Sequence, residues 1–260
     1  MSEKNELLKA EQANKLVYSS YEMTLNEKRL LMLAICKISM DMAAFPCMYV
    51  KVSDLKKYLE IEGTSLHTKL KETCRRLLKR LVEIEDEKGD WIAHQWVSRC
   101  KITRGTGVLE IELHRDLKPY LLELNKHYQS ISFEHIAKIH KSHAVRLFEI
   151  LWHKRNEFGL PRNKVKIKLE ELRKMLAIGK SYPVFYDFKR RILEPAREEL
   201  EKSTPIRFTY TTEKVARRIM SITFTICEND DYKADKLPPL TAQMMLDLNK
   251  TENPKEPTHC

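Results

Sequence analysis

The side chains that recur in this sequence at spacings able to do chemistry are cations. Residues 64–82 carry Lys69, Lys71, Arg75, Arg76, Lys79 and Arg80 against one acid, Glu72, a local charge of +5. In residues 182–202 the charges cancel in total. Yet Lys189, Arg190 and Arg191 crowd the first half, and Glu194, Glu198, Glu199 and Glu201 follow. The helix dipole favours the opposite order, acids first and bases last, so this arrangement is locally unfavourable. It suits a helix that offers its N-terminal residues to base edges in a major groove. Two more basic sets, Arg99, Lys101 and Arg104, then Lys214, Arg217 and Arg218, accompany β-rich segments. Basic hairpins of this kind reach phosphates or the minor groove beside a reading helix. One basic helix alone is a solvated face more often than a binding site. A basic helix followed by a basic hairpin, twice in one chain, points to double-stranded DNA.

Other chemistries are weaker. His135, His140, His143 and His153 fall in one helical stretch, but no Cys or acid completes a four-ligand spacing, so no metal is expected. His143-Ala144-Val145-Arg146 fits the H-x-x-R of tyrosine recombinases, with Tyr182 and Tyr186 downstream. Among nine histidines such a match arises by chance. Arg146 also precedes Leu147, Phe148, Ile150 and Leu151, as a residue orienting a buried helix would. No His-apolar-His pair offers the metal site of a rolling-circle nickase. Gly105-Thr106-Gly107 lacks the third glycine of a dinucleotide loop, and no G-x-x-x-x-G-K is present. No enzyme activity and no cofactor are expected. Trp91, Trp96 and Trp152 lie in apolar-patterned segments and are expected in the core.

The elements that must position these cations follow from period and composition. The chain has 260 residues, 47 basic against 37 acidic, with 42% apolar residues, enough for a packed core. The apolar run 30–38 is too short for a membrane span and is broken by Lys37, and residues 1–15 lack the apolar core of a signal peptide. A cytoplasmic protein is expected. Six scattered cysteines without a C-x-x-C pair read as buried thiols. Residues 25–39 form a broadly buried helix, 48–52 a short strand, 54–60 a helix capped at Ser53, and 64–82 a longer helix. Segments 91–97 and 108–113, joined through 104–107, read as a hairpin.

The same order recurs in helix 133–158, strand 165–169, helix 170–177, helix 182–202, and hairpin strands 206–211 and 218–226. Residues 50–61 set over 167–178 give five identities at an offset of 117: Lys51/Lys168, Leu55/Leu172, Lys57/Lys174, Leu59/Leu176 and Ile61/Ile178. Leu70, Cys74, Leu78 and Val82 fall opposite Phe188, Ile192, Ala196 and Leu200, one residue out of step. Identity and apolar phase agree, so a module is duplicated. The expected fold is α+β, two similar winged-helix domains (helix-turn-helix plus β-hairpin wing) in tandem. An N-terminal arm spans 1–12, the first domain 13–130, the second domain 131–228, and a mobile, Pro-containing acidic tail 229–260.

Residues 13–18 (Ala-Asn-Lys-Leu-Val-Tyr) and 21–33 resemble the opening of bacterial plasmid replication initiators of the iteron-binding Rep type. So do 142–149 (Ser-His-Ala-Val-Arg-Leu-Phe-Glu), Ser181-Tyr182 and 186–195 (Tyr-Asp-Phe-Lys-Arg-Arg-Ile-Leu-Glu-Pro). The resemblance covers 13–227. It implies a monomer that binds direct repeats at an origin, helps melt an adjacent AT-rich segment, and recruits the host initiator and replicative helicase. It also implies a homodimer, formed through the first domain, that binds an operator inverted repeat as an autorepressor. Within the second reading helix it points to Asp187, Lys189, Arg190 and Arg191, with Ser181 and Tyr182 at its N-terminus toward phosphate. A tandem winged-helix repressor without a replication role, and a nickase or recombinase, are the alternatives.

Overall fold

The computed structural model describes residues 9–38, 42, 45–59, 66–85, 88–103, 106–122, 128–156 and 163–232. Arg104, the arm before residue 9 and the tail beyond 232 lie outside them.

The first module begins with β1 (Lys9–Ala13) and α1 (Asn14–Val17), followed by α2 (Leu25–Ile35). A capping box starts α2: Thr24 accepts from the Glu27 amide, and the Glu27 carboxylate accepts from the Thr24 amide. Every residue from 27 to 35 is buried, as the broad apolar face predicted. Next come β2 (Met48–Lys51), α3 (Val52–Leu59), α4 (Leu66–Leu77), β3 (Leu81–Glu85), β4 (Trp91–Gln95), β5 (Val97–Thr103) and β6 (Val108–Leu113). A short 3-10 turn leads into α5 (Lys118–Leu121), then β7 (Tyr128–Ser132), α6 (Phe133–Ala137) and α7 (Ser142–Asn156). The second module contains β8 (Lys164–Lys168), α8 (Leu169–Met175), α9 (Phe185–Phe188), a π turn over Lys189–Leu193, α10 (Glu194–Ser203), β9 (Ile206–Val215) and β10 (Arg218–Glu228).

The duplication is visible in the sheets. Their strand orders are β2-β6-β5 and β8-β10-β9, so in each the short first strand pairs with the last strand of the wing. Val50 faces Leu109 and its sequence equivalent Ile167 faces Ile222, all four buried. The fold is two winged-helix domains in tandem, α+β in class.

Several boundaries differ from the sequence expectation, each for a local reason. Helix α4 ends at Leu77, and 81–85 is a strand whose alternating exposure follows Leu-Val-Glu-Ile-Glu. That strand takes Trp91–Gln95 as its partner, so β4 belongs to a separate hairpin and the wing is β5–β6. Ser53 does not cap α3; its hydroxyl donates to Asp54 Oδ1. Residues 9–12 are not a free arm, since β1 pairs antiparallel with β7 along its whole length. Helix α7 packs against α1 and β7 on one side and α10 and β8 on the other. The buried residues of both modules form one continuous core through it.

Candidate nucleic-acid interface

In the second module the reading helix is held by a tight turn. Ala177, Gly179 and Tyr182 occupy left-handed backbone conformations (φ 50°, 52° and 53°), which lets the chain reverse within a few residues. Arg173 clamps the turn: it donates to the Ser181 carbonyl at 2.7 Å and to the Tyr182 carbonyl, and stacks over Phe188. Partial burial lowers the Arg173 pKa, yet no side chain chemistry can discharge it at neutral pH. Ser181 and Tyr182, expected at the helix N-terminus, instead lie in this turn, and the helix starts at Phe185.

The helix buries Phe188, Ile192, Ala196 and Leu200 in one stripe, the phase the sequence predicted. Pro195 breaks its ladder. With no N–H to donate and a ring that would meet the Arg191 carbonyl, proline displaces the regular pattern, and the π turn over Lys189–Leu193 lies immediately before it. The three cations sit on that turn, all exposed. Arg190 lies 3.3 Å from Asp187 and over the Tyr186 ring, and Lys189 lies 3.8 Å from Glu194. Arg191 stacks over Tyr182 and forms no ion pair among the described residues.

The acids that follow are used elsewhere. Glu194 accepts from the Tyr210 hydroxyl at 2.6 Å and from Arg197 at 3.0 Å; the tyrosine hydrogen bond is the main cause that holds its carboxyl below the usual range. Glu199 accepts the His140 amide at 2.7 Å. Glu194 and Glu199 therefore fasten the helix to β9 and to the segment before α7, while Lys189, Arg190 and Arg191 stay exposed. Sequence reasoning missed Val184 and Tyr186, which are 60% and 66% exposed beside these cations. Apolar contact of this kind can distinguish a thymine methyl from other base edges. Their exposure could not be read from a pattern that resembles core.

The β9–β10 wing ends in a two-residue turn, Ala216-Arg217, with both residues left-handed (φ 46° and 72°). Such a turn favours Asn-Gly, and each non-glycine residue there costs about 1 kcal/mol. Lys214, Arg217 and Arg218 are exposed at this tip, and no ion pair engages them among the described residues.

The first module is less free. Lys69, Lys71 and Arg75 project from α4 without an ion pair among the described residues, while Leu70, Thr73, Cys74 and Leu77 face the core. Arg76 and the neighbouring Arg80 instead reach the fully buried Glu27 of α2, at 2.9 and 2.8 Å. A buried carboxylate needs counter-charge, and these two arginines supply it. On the wing, Arg99 pairs with Glu112 and, at 3.1 Å, with Glu110, and Lys101 lies 2.9 Å from Glu110. Cross-strand neighbours of opposite charge attract directly. Arg76, Arg99 and Lys101 thus have internal partners among the described residues.

The alternative chemistries fare differently. Arg146 is buried and donates to the carbonyls of Val17, Ser19 and Met175, with Glu149 beside it. The arginine of the H-x-x-R match is thus engaged by main-chain carbonyls of both modules. His153 is buried against Asn14, and among the described residues no cluster of three metal-ligating side chains forms. Trp96 is fully buried and Trp152 partly so, but Trp91 is 68% exposed, against expectation, because β4 ends a two-stranded hairpin. No helix among the described residues is long and apolar enough to cross a membrane.

Residues 9–152 match the family model described as "Initiator Replication protein, WH1", and residues 168–226 match "Initiator Rep protein, WH2". The chain belongs to the initiator replication proteins. The WH1 match takes in β1 and α7 as far as Trp152. Among relatives of this initiator, an Escherichia coli protein known as "Uncharacterized 27.6 kDa protein" is 22% identical over 245 residues, covering 84% of this chain and 95% of that protein. An Escherichia coli "Replication initiation protein" is 24% identical over 194 residues, covering 72% of this chain and 60% of its own length. A crystal structure of the Pi initiator protein in complex with iteron DNA superposes with a TM-score of 0.71, at 19% identity, over 88% of this chain and all of that one. The initiator shares that two-domain fold.

Proposed function

We propose that this initiator is a plasmid replication protein that binds direct repeats of the iteron type at an origin. The observation that carries this is the second module's basic helix, whose Lys189, Arg190 and Arg191 are exposed on a π turn while Glu194 and Glu199 are tied to β9 and to the segment before α7. The Pi initiator of the same two-domain fold binds iteron DNA, which supports carrying that ligand class to this chain. In this reading Asp187, Lys189, Arg190, Arg191 and Tyr186 meet base edges, and Lys214, Arg217 and Arg218 hold phosphates. Lys69, Lys71 and Arg75 engage a second major groove. The monomer helps open the origin and recruits the host initiator and replicative helicase. A homodimer formed through the first domain binds an operator inverted repeat and represses the initiator's own gene, in the cytoplasm.

Selection of bound duplexes from a random pool gives the site. A plasmid bearing tandem copies of it then tests initiation. Replication that depends on both the chain and the repeats is expected. Tight specific binding with no origin activity would leave a tandem winged-helix repressor, and nicks in supercoiled DNA with divalent metal would restore the nickase.

A further inference from the structure

The end of the β9–β10 hairpin carries two exposed apolar side chains, Val215 at 65% and Met220 at 52%. Along β9 below them the outward positions are polar, Arg207, Thr209, Thr211 and Glu213, so apolar exposure is confined to the tip. Met220 is exposed at a break in register: Ile219 pairs with Lys214 and Ser221 with Glu213, leaving Met220 as the extra residue of a bulge. Bulges re-aim side chains away from a ladder. Around these two stand Lys214, Arg217 and Arg218, which no described residue neutralises.

The surroundings select the occupant. Two side chains on the strands flanking a two-residue turn offer far less area than a stable protein interface needs. Three cations ringing them call for a polyanion. A narrow hairpin tip with a flexible thioether and a branched aliphatic group matches the minor groove, where apolar side chains are pressed between base steps and Lys or Arg hold the flanking phosphates. The strained Ala216-Arg217 turn keeps the tip as short as a hairpin allows, with Val215 and Arg218 directly paired.

We propose that this wing enters the minor groove beside the site read by the second helix, and that Met220 and Val215 wedge against a base step, unstacking it and bending the duplex. This deepens the proposed DNA-binding function and rests on it. On the described part of the first wing, Arg99 and Lys101 are instead paired with Glu110 and Glu112.

The test uses the full chain and the duplex recovered from the random pool, carrying 2-aminopurine at successive adenines and dyes at both ends. Unaltered protein is expected to brighten 2-aminopurine at one step and to shorten the end-to-end distance. The double variant Val215→Ser, Met220→Ser is expected to bind within about tenfold of the original, because the deformation cost disappears together with the wedge contact. It should lose both signals. Val215→Leu with Met220→Leu should keep them, and equal thermal unfolding excludes a folding defect. Identical brightening and bending in the serine variant, or no brightening with the unaltered protein bound, would overturn the wedge and leave DNA binding intact. Failure of the unaltered protein to bind any duplex would overturn the DNA-binding function and the wedge together.

Discussion

Arg76 places its Nε 2.9 Å from Oε1 of Glu27, so the first reading helix is fixed to α2 through a fully buried carboxylate. Glu27 also takes Arg80 and closes the capping box of α2. Glu27→Ala removes all three interactions and leaves two arginines without counter-charge. A destabilisation of about 2–4 kcal/mol is expected by urea unfolding, discounted because Arg76 is half exposed. Arg76→Ala alone should lose much less, since Arg80 remains. Equal losses from the two variants would contradict this division of roles.

Arg190 and Arg217 should differ in kind. Arg190→Ala is expected to lower the ratio of specific to scrambled affinity by about 1–3 kcal/mol, the worth of one bidentate guanine contact. Arg217→Ala should weaken both duplexes alike. Titrations at two salt concentrations separate the cases, and an unchanged specificity ratio for Arg190→Ala removes it from base reading.

A trade between stability and affinity is built into the wing tip. Arg217 sits at φ 72°, where glycine carries no steric penalty. Arg217→Gly should raise unfolding stability by about 1 kcal/mol. It should also flatten the dependence of log K on log salt by about 0.9, one phosphate contact. A variant that is both less stable and equally salt-sensitive would exclude the contact.

Acid should weaken the fold through two histidines. Burial, followed by the nearby Arg146 and Lys28, lowers His153 to about 3, and burial with Lys138 lowers His135 to about 4. Both native pKa values lie below the unfolded value, so the unfolded chain takes up protons first. The stability they contribute is complete above about pH 6.5 and is lost as pH falls toward 4 and 3, at up to about 1.4 kcal/mol per pH unit for each. His153→Gln should make the decline of unfolding free energy between pH 7 and 5 shallower. An unchanged slope would mean that His153 titrates freely.

The duplicated fold was legible because helix phase and identity repeat at one offset, and because Phe188, Ile192, Ala196 and Leu200 announce a buried stripe. The second module's basic helix was legible for the same reason, as Lys189, Arg190 and Arg191 fall between the buried Phe188 and Ile192. The first wing was not. Arg99 and Lys101 look available in the sequence, but the register Arg99↔Glu112 and Lys101↔Glu110 sets each across from an acid, and register is a property of two strands at once. The ion pair of Arg76 is hidden likewise, since its partner Glu27 is 49 residues away. The π turn carried one local signal, Pro195, inside an otherwise uninterrupted helical period.

Arg146 spans the joint between the modules, serving carbonyls of Val17 and Ser19 on one side and Met175 on the other. Opening the joint would cost this buried guanidinium its carbonyl acceptor on Met175, at 3.1 Å, while Glu149 of its own helix stays beside it. Losing a hydrogen bond in a dry interior is unfavourable, so this one side chain resists separation of the two modules.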